Sequence, residues 1–94
     1  MEVGYAIVHH PLVIAEDLTR IDPYWRHEIR DAVRAKLTTS PEVFGKPLRQ
    51  SLAGHRALRV SDYRVVYRIE KKIVRIIAVI HRRTEYKGIE QRLR

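Results

Sequence analysis

The sequence predicts an α+β fold, with the element order β-α-α-β-β-β, in which an antiparallel sheet packs against an N-terminal helical hairpin. Two observations support this prediction. Amphipathic helical patterns lie between residues 11 and 38, and three strand patterns follow between residues 55 and 80. Each helical stripe is apolar on one side, so it needs a sheet to cover it. With 94 residues and no internal repeat, the chain is expected to form a single domain over residues 1–94.

The N-terminal half is expected to hold one strand and two helices. The strand covers residues 2–9, and the first helix covers residues 11–20, where apolar side chains recur at helical spacing. Asp22 and Pro23 start the second helix as N-cap and first helical residue, and its stripe extends to about residue 38. The apolar positions are Val3, Tyr5 and Ile7 in the strand, Ile14, Leu18 and Ile21 in the first helix, and Trp25, Ile29, Val33 and Leu37 in the second.

The C-terminal half is expected to begin with a linker over residues 41–54. Three strands then follow at residues 55–60, 63–69 and 73–80. The last strand is apolar nearly throughout, which predicts a position inside the sheet with both faces covered. Residues 88–94 are expected to form only a frayed terminal turn.

The first two of these strands form a hairpin that places arginines on one face. A two-residue turn at Ser61-Asp62 puts Arg59 opposite Arg64. Like charges directly opposite one another weaken a sheet, so this pair indicates an anionic ligand. The alternative is that the arginines are solvated and splayed apart. The apolar face carries Leu58, Val60, Tyr63, Val65, Tyr67 and Ile69, and the basic face carries His55, Ala57, Arg59, Arg64, Val66 and Arg68.

The net charge of +8 is concentrated in the second half of the chain. Residues 1–45 hold five Lys/Arg against seven Asp/Glu, a balance of −2. Residues 46–94 hold fourteen against four, a balance of +10, and fourteen of the nineteen basic residues are arginine. Arginine suits phosphates and stacks on bases, so this asymmetry indicates a nucleic-acid surface. A surface that fits an acidic protein partner is the alternative.

Several classes of site and location are disfavoured by composition. The chain has no cysteine, which excludes disulfides, a thiolate nucleophile and a Cys-based zinc site. The histidines lack metal-ligand spacing and there is no Gly-rich phosphate loop, so neither a metal nor another cofactor is expected. No apolar run reaches the ~20 residues of a membrane span, and the start lacks a signal peptide's basic region. A cytoplasmic location without a membrane partner is therefore expected.

Four signatures together resemble the RelE/ParE superfamily of bacterial type II toxin–antitoxin toxins. Their order and spacing agree over nearly the whole chain, which implies a RelE-like, microbial RNase-type fold. The signatures are Lys46-Pro47-Leu48 leading to Ser51-Leu52-Ala53-Gly54, the hairpin motif from Arg59 to Tyr67, the apolar last strand, and His81-Arg82-Arg83 with Tyr86 behind it.

The resemblance implies a site for RNA cleavage. In the RelE branch the substrate's 2′-OH is the nucleophile, and cations beside the scissile phosphate and proton-transfer groups assist it. Arg64 matches the arginine that contacts the phosphate, and Arg82 matches the basic residue after the last strand. His81 matches an acid/base histidine, and Tyr86 matches a tyrosine that stacks on a base or joins proton transfer. Further RNA or phosphate contacts are expected from Arg59, Arg68, Arg83, His55 and Lys46.

Each assignment also has a purely structural alternative. His81 could simply end a strand in water, and the Tyr86 ring could close the sheet edge. Arg82 and Arg83 could pair with glutamates of the tail. Tyr63 and Tyr67 lie on the apolar hairpin face and are expected to belong to the core.

The sequence departs from the RelE pattern on the second strand. Some members carry two lysines there, whereas residues 55–59 hold none, and arginine is a poor base. The base for cleavage must then come from His81, Tyr86, His55 or Glu85.

The leading hypothesis is a toxin that inhibits translation as a ribosome-dependent mRNA endoribonuclease, with mRNA and ribosomal RNA as its partners. A ParE-like, non-nucleolytic poison of DNA gyrase and a non-toxic basic nucleic-acid-binding subunit are the alternatives. The resemblance also implies a cognate antitoxin that forms a hetero-oligomer with this chain.

Overall fold

Five strands form one sheet within residues 4–93, the part of the chain that the computed structural model describes. Their order across the sheet is β1-β5-β4-β3-β2; the strands are β1 (Ala6–His9), β2 (Lys46–Pro47), β3 (Arg56–Val60), β4 (Tyr63–Glu70) and β5 (Ile73–His81). The predicted α+β class is confirmed. The sheet is antiparallel except that β1 runs parallel to β5.

Two helical segments connect β1 to β2 and lie against one face of the sheet. Asp22 caps the second helix as predicted, since its carboxylate accepts a hydrogen bond of 2.9 Å from the Tyr24 amide. Among the described residues, no helix is long and apolar enough to cross a membrane. The segments are α1, made of a π-type turn at Val13–Asp17 and a 3₁₀ turn at Leu18–Arg20, and α2, made of Pro23–Ala32 continued by a π-type turn at Val33–Leu37.

The predicted hairpin register between β3 and β4 is confirmed. Arg59 lies opposite Arg64, and Val60 lies opposite Tyr63. Ser61 takes a φ of 55° in the two-residue turn, as such hairpin turns require. The register therefore separates an apolar face, toward the helices, from the face that carries the arginines.

The strand β5 contributes to two cores, one on each face of the sheet. Ile76 and Val79 pack toward the helices, whereas Ala78 and Ile80 belong to a second cluster on the other face. This confirms that the last strand is covered on both faces. Ile77 has no partner on β4, because Val66 lies opposite Ala78 and Tyr67 lies opposite Ile76. The side-chain alternation of β5 is therefore inverted at this bulge.

The second core is covered by residues that the sequence analysis assigned to a frayed end. That prediction was wrong for residues 88–93, because Tyr86–Leu93 form 3₁₀ turns that bury Ile89 to 3% exposure. Residue 94 lies outside the described residues, as do residues 2 and 3 of the predicted first strand. The linker prediction for residues 41–54 was also incomplete, since this stretch contains β2 and a 3₁₀ turn at Gln50–Leu52.

A buried ion pair joins the first helical segment, α1, to the C-terminal 3₁₀ segment. Asp17 of α1 accepts hydrogen bonds of 2.7 and 3.0 Å from Arg92, and a third of 2.9 Å from the Val79 amide. Arg92 also donates to the Ile77 carbonyl at 3.2 Å. The strand β5 continues past the last residue that pairs with β1. The ion pair therefore binds the Ile77 carbonyl and the Val79 amide, which have no strand beside them on that edge.

Candidate nucleic-acid interface

Arg59, Arg64 and Tyr86 lie together in an open cleft of about 690 Å³. The cleft is on the sheet face that points away from the helices. Its floor comes from β3 and β4, one wall comes from the C-terminal 3₁₀ segment, and the other comes from residues 43–48. Two of the basic hairpin residues therefore meet the tail tyrosine in one concave surface.

Arg64 and Tyr86 are in direct contact. The Arg64 Nη1 donates to the Tyr86 hydroxyl at 3.3 Å, and its guanidinium carbon lies 5.5 Å from the centre of the ring. The ring is held in place because Ile89, three residues later, is buried against the sheet. The guanidinium is thus fixed by a hydrogen bond and a cation–π contact, and its other N–H groups remain available to an anion.

Arg59 is the second cation of the cleft. It is exposed, and its Nε donates to the Ser61 carbonyl at 3.0 Å. Among residues 4–93, neither Arg59 nor Arg64 makes a salt bridge with a carboxylate. Two arginines at facing strand positions without a carboxylate partner have guanidinium N–H groups that suit a phosphate.

Lys46 brings a third cation to the cleft from β2, where it lies opposite Ala57. The neighbouring strand, β3, holds no lysine, and the sequence predicts Lys46 only as one of several RNA or phosphate contacts. The structure therefore places a lysine in the cleft from the edge strand. Its signal was present in the Lys46-Pro47 signature, but a two-residue strand is too short to predict from periodicity.

His81 lies on the opposite face of the sheet from the cleft. It is paired with Tyr63, and the two rings meet edge to face with centres 5.5 Å apart. Tyr63 packs toward the helices beside Trp25, and the amide of Arg83 donates to the His81 Nδ1 at 3.2 Å. The structure does not bring His81 together with Arg64 and Tyr86. The bulge at Ile77 is the reason, because the side chains that follow it point to the opposite faces from those that strict alternation would give.

Arg82 and Arg83 lie at the end of the sheet, beside the hairpin turn. Arg82 donates from its amide to the Asp62 carbonyl at 2.7 Å, and its Nε lies 3.2 Å from the Asp62 carboxylate. Arg82 therefore pairs with the turn, rather than with the tail glutamates that the structural alternative named. The side chain of Arg83 is exposed.

Arg68 and His55 are on the basic face but outside the cleft. Arg68 pairs with Glu70 at 2.7 Å, and a hydrogen bond of 2.6 Å from Arg75, together with the two positive charges, lowers the pKa of Glu70. His55 is 8% exposed, and its ring nitrogens find no hydrogen-bond partner among the described residues. Neither residue is placed to bind a ligand of the cleft.

The loop over residues 41–45 borders the cleft and is held by side-chain hydrogen bonds that the sequence does not predict. Tyr67 is fully buried, as predicted, and its hydroxyl lies 2.7 Å from the Pro41 carbonyl and 2.5 Å from the Phe44 carbonyl. Burial raises the pKa of this phenol, which keeps it protonated as a donor. Arg56 donates to the Gly45 carbonyl at 2.9 Å. Nothing in the local pattern signals bonds between residues so far apart in sequence.

Comparisons with known proteins place the chain in a family. Residues 13–86 match the family described as the ParE toxin of type II toxin–antitoxin systems, parDE. The chain belongs to the RelE/ParE superfamily of type II toxins. Among curated proteins, none matches this sequence.

A solved structure agrees with this assignment. The toxin is similar to a chain of the toxin–antitoxin complex RelBE2 from Mycobacterium tuberculosis, with 31% sequence identity and a TM-score of 0.78. The similarity covers 84% of the toxin and 99% of that chain. The predicted RelE-like fold is therefore confirmed. Within residues 4–93, no group of three or more His, Asp or Glu side chains could hold a metal ion.

Proposed function

We propose that this toxin is a ribosome-dependent mRNA endoribonuclease that inhibits translation and is neutralised by a cognate antitoxin. The observation that carries the proposal is the convergence of Arg59, Arg64, Lys46 and Tyr86 in one cleft. The cleft has the charge of a phosphate site and two groups, Tyr86 and Lys46, that can transfer a proton. The similarity to a chain of the RelBE2 toxin–antitoxin complex supports the antitoxin partner.

The two hairpin arginines would hold the scissile phosphate. Attack of the 2′-oxygen on phosphorus adds negative charge to the phosphate oxygens, and fixed guanidinium groups stabilise that charge. Arg59 and Arg64 lie opposite one another on adjacent strands, so the sheet sets the distance between them. Neither arginine can act as the base, because arginine stays protonated in proteins.

Tyr86 would protonate the leaving oxygen. Its phenol oxygen accepts a hydrogen bond from Arg64, so the proton of the hydroxyl can point toward the substrate. As the bond from phosphorus to the 5′-oxygen breaks, that oxygen takes the Tyr86 proton, while the proton of the attacking 2′-hydroxyl passes to solvent water and water returns a proton to the phenolate. The products are a 2′,3′-cyclic phosphate and a 5′-hydroxyl.

The cleft offers few groups for proton transfer, which supports dependence on the ribosome. Of the four candidate bases that sequence analysis named, Tyr86 alone lines the cleft, whereas His81 is on the other face and His55 is buried. We therefore expect slow cleavage of free RNA and fast cleavage where the ribosome positions the message against the cleft.

Primer extension on an mRNA in a purified translation system, with and without ribosomes, tests this proposal. Wild-type toxin should produce cuts that need ribosomes and fall at a fixed place within codons, and Arg64→Ala should abolish them. Arg20→Ala is the matched control, because Arg20 is exposed on α1 and its ion pair with Glu16 is loose, at 3.8 Å. Cuts by Arg64→Ala at the wild-type level would overturn the proposal.

A gyrase poison is the second candidate, and the match to the ParE toxin family favours it. The placement of His81 outside the cleft points the same way. In that case the message stays intact at toxin levels that stop growth, and DNA supercoiling by purified gyrase is inhibited instead. If expression of the chain in a bacterial host does not slow growth, the third alternative, a non-toxic nucleic-acid-binding subunit, is supported instead.

A further inference from the structure

Two apolar side chains border the cleft without being covered. Val43 is 72% exposed and Phe44 is 36% exposed, and both line the wall of the cleft that residues 43–48 form. Exposed neighbouring hydrophobic residues at a concave surface mark a binding site more often than isolated ones do. These two residues have no role in the phosphate chemistry described above.

The loop that carries Val43 and Phe44 is rigidly anchored. The buried Tyr67 hydroxyl and the Arg56 guanidinium bind its carbonyls, and the amides of Val43 and Phe44 both donate to the Ser40 carbonyl, at 3.0 and 3.2 Å. The exposed side chains are therefore presented in a fixed position. A pre-organised apolar surface loses little entropy when a ligand packs on it.

The cleft thus carries apolar side chains on one wall and cations on its floor and on the same wall. Lys36 lies 5.5 Å from the centre of the Phe44 ring and supports it through a cation–π contact. Arg59 and Arg64 on the floor and Lys46, two residues after Phe44 on the same wall, supply the positive charge. A ligand that fits the apolar side chains and the cations together has a flat apolar group joined to an anion, which describes one nucleotide of a single strand.

We propose that Val43 and Phe44 form a base-binding subsite, in which Phe44 stacks on an unpaired base of a single-stranded RNA. The phosphate beside that base lies on Arg59 and Arg64. The choice of RNA rests on the proposed function, and the subsite extends it by naming a residue that influences which bases are held at the cleft.

Binding of a fluorescent single-stranded oligoribonucleotide to the whole protein tests the subsite directly. A strand of the same length without bases serves as the second ligand. Phe44→Ala should weaken RNA binding about tenfold, the scale of a lost base–aromatic stack, and leave the binding of the abasic strand unchanged. Phe44→Tyr should bind as the wild type does. Val43→Ser provides a milder second variant, since this side chain is mostly in water and its loss leaves the fold intact.

The control for an exposed aromatic residue is Tyr24→Ala, because Tyr24 is 61% exposed on α2, away from the cleft. It should bind RNA as the wild type does. Equal affinity of the wild type for RNA and the abasic strand would overturn the subsite, and so would wild-type RNA affinity of Phe44→Ala. Weakened antitoxin binding by Phe44→Ala with unchanged RNA binding would identify a protein surface instead, and would also overturn it.

Cleavage on the ribosome separates this inference from the proposed function. Phe44→Ala should still cut, but its cuts should be redistributed among codons, whereas Arg64→Ala should not cut. An unchanged cut pattern in Phe44→Ala would contradict the subsite and leave the nuclease intact. If the wild type makes no cuts, the nuclease proposal fails, and the comparison of RNA with the abasic strand still decides whether the subsite exists.

Discussion

His81 and Arg64 lie on opposite faces of the sheet, although they are on neighbouring strands and Arg64 pairs with Ile80. The bulge at Ile77 separates them. Strict alternation from Ile73 would place residue 81 on the face of the cleft, and the extra residue moves it to the helix side. The placement of one unpaired apolar residue therefore decides which titratable groups share the cleft.

The first prediction is that His81→Gln keeps its activity. Since the ring packs on Tyr63 and not in the cleft, ribosome-dependent cleavage should stay within about threefold of the wild-type rate, a change small beside the effect of losing an acid or base. Single-turnover cleavage of a ribosome-bound message measures this rate. A loss as large as that caused by Arg64→Ala would mean that His81 reaches the substrate.

The second prediction concerns the Tyr86 hydroxyl. Tyr86→Phe keeps the ring on Arg64 and removes the proton donor, so cleavage should slow on the order of 100-fold with little change in RNA affinity. Tyr86→Ala should lower both the cleavage rate and the RNA affinity. The comparison of cleavage rates with oligonucleotide affinities separates proton transfer from stacking, and a fully active Tyr86→Phe would exclude the hydroxyl from the chemistry.

The third prediction is that Gly45 cannot be replaced. Its φ is +79°, and an added Cβ would lie 2.5 Å from the Tyr67 hydroxyl. Backbone strain and this clash should together lower the free energy of unfolding of Gly45→Ala by at least about 2 kcal/mol. Urea denaturation measures it. Gly88→Ala is the matched control, because a methyl group added there would meet no atom within 4 Å, and it should be neutral or slightly stabilising.

The fourth prediction concerns the ion pair between α1 and the C-terminal segment. Arg92→Met leaves the Asp17 carboxylate, which is 5% exposed, without its cation, and should cost about 3–5 kcal/mol of unfolding free energy. Arg20→Met should cost less than about 0.5 kcal/mol, because its partner Glu16 is on the surface. Equal losses in the two variants, measured by thermal and urea unfolding, would show that the buried pair has no special weight.

The features that could be predicted from sequence are those decided by neighbouring residues. The turn at Ser61-Asp62, the register of Arg59 and Arg64, and the Asp22 cap each follow from a few adjacent side chains. The apolar run of the last strand likewise showed that both faces of β5 are buried.

The features that were missed depend on contacts between distant parts of the chain. The bulge leaves no trace in the sequence, because Ile76, Ile77 and Ala78 are all apolar and suit either core. The two-residue strand β2 exists only because β3 is beside it. The arginines of the cleft were found, but the place of His81 could not be inferred, since it depends on the bulge.

The ion pair between Asp17 and Arg92 joins two residues that the ribosome adds far apart in time. A ribosome adds residue 92 seventy-five positions after residue 17, so a nascent chain lacks this bond until residue 92 has been added. Tyr86 belongs to the same late segment. A prematurely terminated chain that ends before residue 86 would carry the hairpin arginines and an uncovered second core. It would lack both Tyr86, the proposed proton donor, and Ile89, the residue that anchors its segment. Synthesis of the segment that carries Tyr86 and Arg92 is therefore a condition for an assembled cleft.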